Sequence, residues 1–251
     1  MILKTSILIL GIIACSYKIQ YQNKIQVNIP TADFETDYIW RTIQDISFFE
    51  KHNYEISLPK GRYIELLKIK AKENSLSKND YENLKAFIKD SVYKKSDYEQ
   101  GYQKIESQRK LINTMISKIT KSNYNWDFKK FNTYQINLTL YGPGGSYNSD
   151  EGSVLIYTTP NGTFKQYDNP ANTIIHEITH IGIESSIVAK FKVPHPLKER
   201  IVDTFVFLNF ANYLSSYKIQ DLGDNRLDAY LKTKKSLKHL NSFVETIMNE
   251  N

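Results

Sequence analysis

The sequence predicts an α+β fold that is mainly helical, with a small mixed β-sheet directly before a helix that carries two histidines. Three observations support this prediction. Apolar residues recur at helical spacing in residues 33–125, apolar and polar residues alternate in 133–141, and an apolar run that starts with a proline follows at 170–190. The chain of 251 residues is long enough to bury a sizeable hydrophobic core.

The amino terminus has the features of a signal peptide. One basic residue, Lys4, precedes an apolar run at residues 7–14. This run has the length of a signal-peptide core and is too short for a transmembrane helix. We therefore expect residues 1–14 to be a signal peptide.

Cys15 follows this run and is the only cysteine, which excludes an intrachain disulfide. Residues 12–15, Ile-Ile-Ala-Cys, resemble the lipobox of bacterial lipoproteins. The resemblance implies that Cys15 carries acyl chains such as palmitate. The chain from Ser16 to about Pro30 is polar, so we expect residues 15–32 to comprise this lipidated cysteine and a tether. The protein would then be anchored to a lipid bilayer in the bacterial cell envelope, on the extracytoplasmic side. An ordinary secretory peptide with a chance cysteine is the alternative.

The charge balance gives no indication of a nucleic-acid partner. The formal net charge is +6, and the lysines are spread over the whole chain. No RNA- or DNA-binding motif accompanies them. We therefore expect no nucleic-acid binding, and the sequence leaves the oligomeric state open.

Residues 33–125 are predicted to form a helical amino-terminal region. Apolar spacing and turn signals divide it into four helices, at residues 34–49, 60–72, 77–92 and 97–120. The last of these helices has one apolar side, formed by Ile105, Leu111, Ile112, Met115, Ile116 and Ile119. Such a side indicates burial in a core.

Residues 126–251 form the second region, which begins with two predicted strands. Apolar and polar residues alternate in 133–141, and a second strand is predicted at 153–158. The glycine-rich stretch 142–145 lacks the lysine and the following helix of a phosphate-binding loop, so we interpret it as a simple loop. Asn161-Gly162 indicates a tight turn before the next helix.

A helix is predicted over residues 170–190. Asn169 is a suitable N-cap residue, and Pro170 suits the first helical position. Apolar residues follow at helical spacing: Ile174, Ile175, Ile178 and Ile181. We expect this apolar face to be buried.

This helix carries the sequence His176-Glu177-Ile178-Thr179-His180. Residues four apart lie on one helical face, so the two imidazoles can bind a single zinc ion while Glu177 acts as general base on a metal-activated water. Catalytic zinc usually takes three protein ligands. A third ligand must therefore come from elsewhere in the chain.

Glu199 is the predicted third ligand. It lies nineteen residues after His180, and the prolines at 194 and 196 separate the two helices between them. Asp203 is one turn further on the same face, where its carboxylate can accept the free ring N–H of a ligand histidine. Glu184 is the other candidate, but it continues the first helix and lies too far along its axis to join both histidines.

These residues resemble the gluzincins, the thermolysin-like zinc metallopeptidases, whose pattern is HExxH, a spacer of just under twenty residues, and ExxxD. The resemblance implies a zincin-like catalytic domain at residues 126–251 with one zinc ion per chain. It implies His176, His180 and Glu199 as ligands, Glu177 as general base and Asp203 as the residue that orients a ligand histidine. The residues before Glu199 and Asp203, a lysine and a valine, differ from those of thermolysin.

The expected function is hydrolysis of a peptide or protein substrate. The resemblance to gluzincins also implies an edge strand above the metal that pairs with extended peptide. Candidates for stabilising the oxyanion lie downstream: His195, Tyr213, Tyr217 and His239. Two other functions remain open. One is a non-catalytic envelope lipoprotein that serves in binding or assembly, and the other is a zinc amidase that acts on peptidoglycan peptides.

Overall fold

The computed structural model describes residues 24–165, 168–220 and 223–250. The predicted signal peptide and Cys15 therefore lie outside the described residues. The α-helices are α1 (Ala32–Gln44), α2 (Ile46–Lys51), α3 (Arg62–Lys72), α4 (Lys78–Phe87), α5 (Glu99–Lys121), α6 (Pro170–Ile183), α7 (His195–Phe210) and α8 (Leu240–Asn249). The strands are β1 (Ile25–Asn28), β2 (Tyr134–Thr139), β3 (Ser146–Asn148) and β4 (Ser153–Tyr157). The predicted α+β class with a small mixed sheet is confirmed.

The four helices predicted in the amino-terminal region are present, with one correction. The helix predicted at 34–49 is two helices, because the backbone leaves helical dihedrals at Asp45, with φ −90° and ψ 11°. Aspartate has a low helix propensity, which fits a break at this position. Ser77 begins α4 through a capping box with Asp80, and α4 then continues as a π-helix at Ile88–Val92.

The sheet has the strand order β1-β2-β4-β3, in which β1, β2 and β4 are parallel and the edge strand β3 is antiparallel to β4. Strand β1 corrects the prediction that all of residues 15–32 form a tether. Ile25 and Val27 are buried against the core, and Ile25 pairs with Tyr134, far away in the sequence. This long-range pairing forms the strand, so four residues of local sequence did not reveal it.

The main core lies between the sheet and helices α5 to α8. A second, smaller core lies among α1, α3, α4 and the π-helix that follows α4. Helix α5 was predicted as part of the amino-terminal region, yet it packs against α6 and β1 in the main core. The helix that carries the histidines is therefore supported by elements from both predicted regions.

A buried carboxylate connects the two cores. The Glu35 side chain on α1 is fully buried and accepts hydrogen bonds from the Tyr98 hydroxyl, the Thr139 hydroxyl and the Leu140 N–H at 2.6, 2.8 and 3.1 Å. Burial raises the pKa of Glu35 above its usual value, although these hydrogen bonds oppose the shift. Because each bond satisfies a buried polar group, Glu35 fixes α1 to the end of β2.

Helix α6 is confirmed at the predicted position and is almost entirely buried. Asn169 occupies the N-cap position, but its side chain makes no capping hydrogen bond, contrary to the expectation. Gly182 lets α6 pack closely on an aromatic ring, since a Cβ there would lie 1.9 Å from Phe128 Cζ. The helix continues as a π-helix at Glu184–Ala189, a form often found near functional sites.

Helix α7 begins between the two prolines, as predicted. Pro194 is its N-cap residue, and Pro196 stands in its first turn, where a missing N–H costs no hydrogen bond. Helices α6 and α7 pack against each other in the main core. Among the described residues, none of the helices combines the length and the apolar character that a membrane crossing requires.

Candidate metal centre

Helices α6 and α7 bring together the three residues that were predicted as ligands. His176 Nε2 and His180 Nε2 are 3.1 Å apart, and Glu199 Oε2 lies 3.4 Å from each of them. Two imidazole nitrogens and a carboxylate oxygen thus converge on one point, with all three ligand atoms within 4.8 Å of one another. This group could hold a metal ion.

Glu184, the alternative third ligand, does not belong to this group. It begins the π-helix after α6, and its Oε2 accepts a hydrogen bond of 2.7 Å from the Tyr147 hydroxyl. The structure therefore places Glu199, and not Glu184, beside both histidines.

Asp203 lies on the opposite side of the His176 ring from the converging ligand atoms. Its Oδ1 is 3.3 Å from His176 Nδ1, and it accepts a hydrogen bond of 2.7 Å from the Tyr217 hydroxyl. The same hydroxyl oxygen lies 2.9 Å from His176 Nδ1, and the Gln220 N–H donates to Asp203 Oδ2 at 2.8 Å. A buried carboxylate, held by a hydrogen bond to each of its oxygens, thus fixes the orientation of His176 and directs Nε2 toward the site.

The protonation state of His176 and the charges of the carboxylates around it depend on each other. Burial disfavours a charged His176, but hydrogen bonds to Asp203 and Glu199 outweigh burial and raise the pKa of His176 to about 10. Burial alone would raise the pKa of Glu199, yet hydrogen bonds from His176 and His180 hold it well below its usual range. Without a metal, a proton on His176 therefore compensates the buried carboxylates, and a bound cation would take over that role.

His180 has a different environment. Burial, the main cause, lowers the pKa of His180 to about 4, so its imidazole is neutral and can donate a lone pair at neutral pH. Its Nδ1 is buried and has no hydrogen-bond partner among the described residues. The ring of Tyr147 lies parallel to the His180 ring, with centroids 4.8 Å apart and an interplanar angle of 4°.

Glu177 is buried beside the cluster, with 7% of its surface exposed. Burial is the main cause that raises the pKa of Glu177 to about 7, with a further increase from Glu199 and an opposing effect of His176. The glycine-rich loop passes directly over this carboxylate, since a Cβ at Gly145 would lie 2.6 Å from Glu177 Oε1. Glycine at position 145 therefore leaves space for the Glu177 carboxylate. The interpretation of residues 142–145 as a simple loop did not include this contact.

A cleft of about 720 Å³ opens over the three ligand residues. Its walls are α6, the start of α7, residues 143–147 and residues 52–54 of the helical region. The Lys165 ammonium donates to the carbonyl oxygen of Pro143 in one wall at 3.4 Å, and to that of Glu55, directly after residues 52–54, at 3.0 Å. Local sequence does not indicate that residues 52–54 reach the cleft, because no motif distinguishes them from an ordinary surface turn.

The four candidates for oxyanion stabilisation lie in different places. His195 lines the cleft, and its Nδ1 is 3.4 Å from Glu199 Oε1. Tyr217 also lines the cleft, but its hydroxyl binds His176 Nδ1 and Asp203 behind the ligand ring. Tyr213 and His239 are not among the described residues that line the cleft. Tyr147 and Lys198 lie at the cleft and were not singled out from the sequence.

The sequence matches no protein-family model, and comparisons with curated proteins and with solved structures find no match. The arrangement of residues in the cleft is therefore the basis for the function proposed below.

Asp203→Ala is expected to weaken metal binding by roughly ten- to a hundredfold while the fold is retained, because partners that orient a ligand histidine have effects of this size. Zinc affinity, measured by competition with a chromogenic chelator, checks this. Asp224→Ala is a suitable control, since Asp224 pairs with Arg226 and does not belong to the ligand group. Equal affinities of Asp203→Ala and wild type would show that His176 needs no carboxylate partner.

Proposed function

We propose that the protein is a zinc-dependent metallopeptidase, and the spacing of three ligand atoms carries this proposal. Zinc ligands at 2.0–2.1 Å in a tetrahedron lie roughly 3.3 Å from one another. The corresponding separations among His176 Nε2, His180 Nε2 and Glu199 Oε2 are 3.1, 3.4 and 3.4 Å. These atoms therefore form a triangle of the size that one zinc ion requires.

The type and number of ligands favour a catalytic site over a structural one. Structural zinc usually has four protein ligands, often cysteines, whereas two histidines and a glutamate leave one position for solvent. Among the described residues, the cluster contains only these three ligands. All three line the cleft, so a substrate can approach them.

Zinc, when bound, supplies a Lewis acid that polarises a carbonyl group and makes water easier to deprotonate. Glu177 is the residue that moves the proton. Its carboxylate is buried next to the ligand His176, and burial raises its pKa to about 7. A group with such a pKa accepts a proton from water and returns it to a leaving amine near neutral pH.

The position of β3 supports an extended peptide as substrate. This strand lies at the edge of the sheet, and Ser146 and Tyr147 of β3 line the cleft. Its outer edge, which pairs with no other strand in the described part of the chain, can form main-chain hydrogen bonds with a peptide. This mode gives affinity with little sequence preference. Together with the gluzincin-like pattern of His176, Glu177, His180, Glu199 and Asp203, this arrangement favours peptide-bond hydrolysis.

Digestion of casein and of purified cell wall by the zinc-loaded protein tests the proposed activity. We expect casein cleavage that a chelator abolishes and added zinc restores. Release of stem peptides from cell wall without casein cleavage would favour a zinc amidase. Zinc binding with neither activity, or no zinc binding, would favour the non-catalytic envelope lipoprotein.

We further propose that the enzyme is anchored by lipid to the extracytoplasmic side of a bacterial membrane. The support is the lipobox-like sequence that ends at Cys15, together with its position after an apolar run of signal-peptide length. A single acyl chain binds a bilayer only weakly. Two or more chains on one cysteine bury enough CH₂ groups to hold the protein at the bilayer.

Cys15→Ser is expected to abolish lipid attachment, because serine lacks the thiol that is acylated. The variant should appear in a soluble fraction or remain unprocessed, whereas wild type stays with the membrane. Incorporation of radiolabelled palmitate into both proteins checks this. Equal labelling of the two would show that Cys15 is not the modified residue.

A further inference from the structure

We infer that Tyr147 is a positioning residue, whose ring holds the His180 imidazole in the orientation that metal binding requires. The inference rests on the proposed zinc site and identifies a contribution to it from the edge strand β3. The two ligand histidines differ in what holds their second ring nitrogen. His176 is oriented through its Nδ1 by Asp203 and Tyr217, whereas His180 Nδ1 has no hydrogen-bond partner among the described residues.

A ligand histidine normally donates its second ring N–H to a partner that fixes the ring orientation. At His180 a stacked aromatic ring takes the place of that hydrogen-bond partner. The Tyr147 ring is stacked on the imidazole at an interplanar angle of 4°, with centroids 4.8 Å apart. Rotation of the His180 ring away from this plane would break the contact, so the stack restrains the direction of Nε2.

The Tyr147 ring is itself held from two sides. Its hydroxyl donates to Glu184 Oε2 at 2.7 Å, and the Lys198 ammonium donates to the same hydroxyl oxygen at 3.3 Å. Glu184 follows His180 by one turn, and Lys198 directly precedes the third ligand, Glu199. Tyr147 thus contacts the elements that supply both His180 and Glu199.

This arrangement also explains Glu184. Glu184 carries a carboxylate four residues after His180, yet it lies outside the ligand group. Its carboxylate instead accepts the Tyr147 hydroxyl, which keeps the ring over His180. The contribution of Glu184 to metal binding is therefore indirect, through the position of the tyrosine ring.

Zinc affinity and the absorption spectrum of the cobalt-substituted protein test the inference in Tyr147→Leu and Tyr147→Phe. We expect Tyr147→Leu to weaken zinc binding by roughly ten- to a hundredfold, the effect of removing an orienting partner. Its cobalt d–d bands should shift, because the ligand geometry changes. Tyr147→Phe keeps the stacked ring and should remain within about fivefold of wild type, the effect of one ordinary hydrogen bond.

Tyr213→Leu is the matched control, because Tyr213 is 41% exposed and is not among the described residues that line the cleft. Tyr147→Val, which suits a strand, replaces Tyr147→Leu if the leucine variant does not fold in chelator. If Tyr147→Leu, or Tyr147→Val in its place, binds zinc as tightly as wild type, the inference is overturned. It is also overturned if Tyr147→Phe binds zinc as weakly as the variant without the ring. Absence of zinc from wild type would contradict the proposed function instead.

Discussion

Glu199→Ala is expected to lower zinc affinity by more than about a hundredfold, which exceeds the usual effect of a residue that only orients a ligand. It should also abolish hydrolysis. The physical reason is that Glu199 Oε2 lies 3.4 Å from both ligand nitrogens and supplies the only anionic ligand atom of the three. Its removal leaves two imidazoles, which bind zinc weakly without a third ligand. Chelator competition and metal analysis after dialysis measure the loss.

Glu184→Ala is the matched control for this variant. Glu184 is also a glutamate near His180, but its carboxylate binds the Tyr147 hydroxyl and not the ligand group. We expect its zinc affinity to stay within about fivefold of wild type, since one hydrogen bond is lost. Zinc loss in Glu184→Ala together with zinc retention in Glu199→Ala would overturn the assignment of the third ligand.

Glu177→Gln is expected to reduce hydrolysis by roughly 10²- to 10⁴-fold, the usual contribution of a general base, while zinc binding stays intact. Glutamine has nearly the same size as glutamate, so it fits the buried space below Gly145, where a Cβ would lie 2.6 Å from Glu177 Oε1. The amide cannot accept the proton from water. Turnover of a casein-derived peptide and the zinc content of the same sample check both parts.

Glu245→Gln provides the control for this second variant, because Glu245 is an exposed residue of α8. It should have the activity of wild type. If Glu177→Gln cleaved the peptide as fast as this control, Glu177 would not be the base, and the measured cleavage would need another source. Loss of zinc from Glu177→Gln would indicate a structural defect instead of a missing proton acceptor.

The features that local sequence predicts well are those with a regular period. The spacing of His176 and His180, the proline start of α6 and the alternation in β2 all reflect the geometry of a single element. For this reason the helix, the strand and the common face of the two histidines were found without a structure. The break between α1 and α2 at Asp45 is not predicted, because one unfavourable residue inside an otherwise helical pattern does not show whether the helix bends or stops.

The remaining features depend on contacts between distant parts of the chain. Strand β1 exists through pairing with β2, more than a hundred residues later in the sequence. Tyr147 is one of 18 tyrosines, and only the fold places its ring on His180. Tyr217 is a sequence candidate for oxyanion stabilisation, yet the fold directs its hydroxyl to His176 Nδ1. Apart from the contacts of Glu199 and Asp203, which the motif spacing predicts, local patterns carry no information on such long-range contacts.

A crystal structure of the zinc-loaded protein, with anomalous diffraction recorded at the zinc edge, tests the central claim most directly. We expect one anomalous peak per chain, at about 2.0–2.1 Å from the Nε2 atoms of His176 and His180 and about 2.0–2.2 Å from a carboxylate oxygen of Glu199. Glu184 should remain bound to the Tyr147 hydroxyl. A peak coordinated by Glu184, or the absence of any peak between α6 and α7, would contradict the claim.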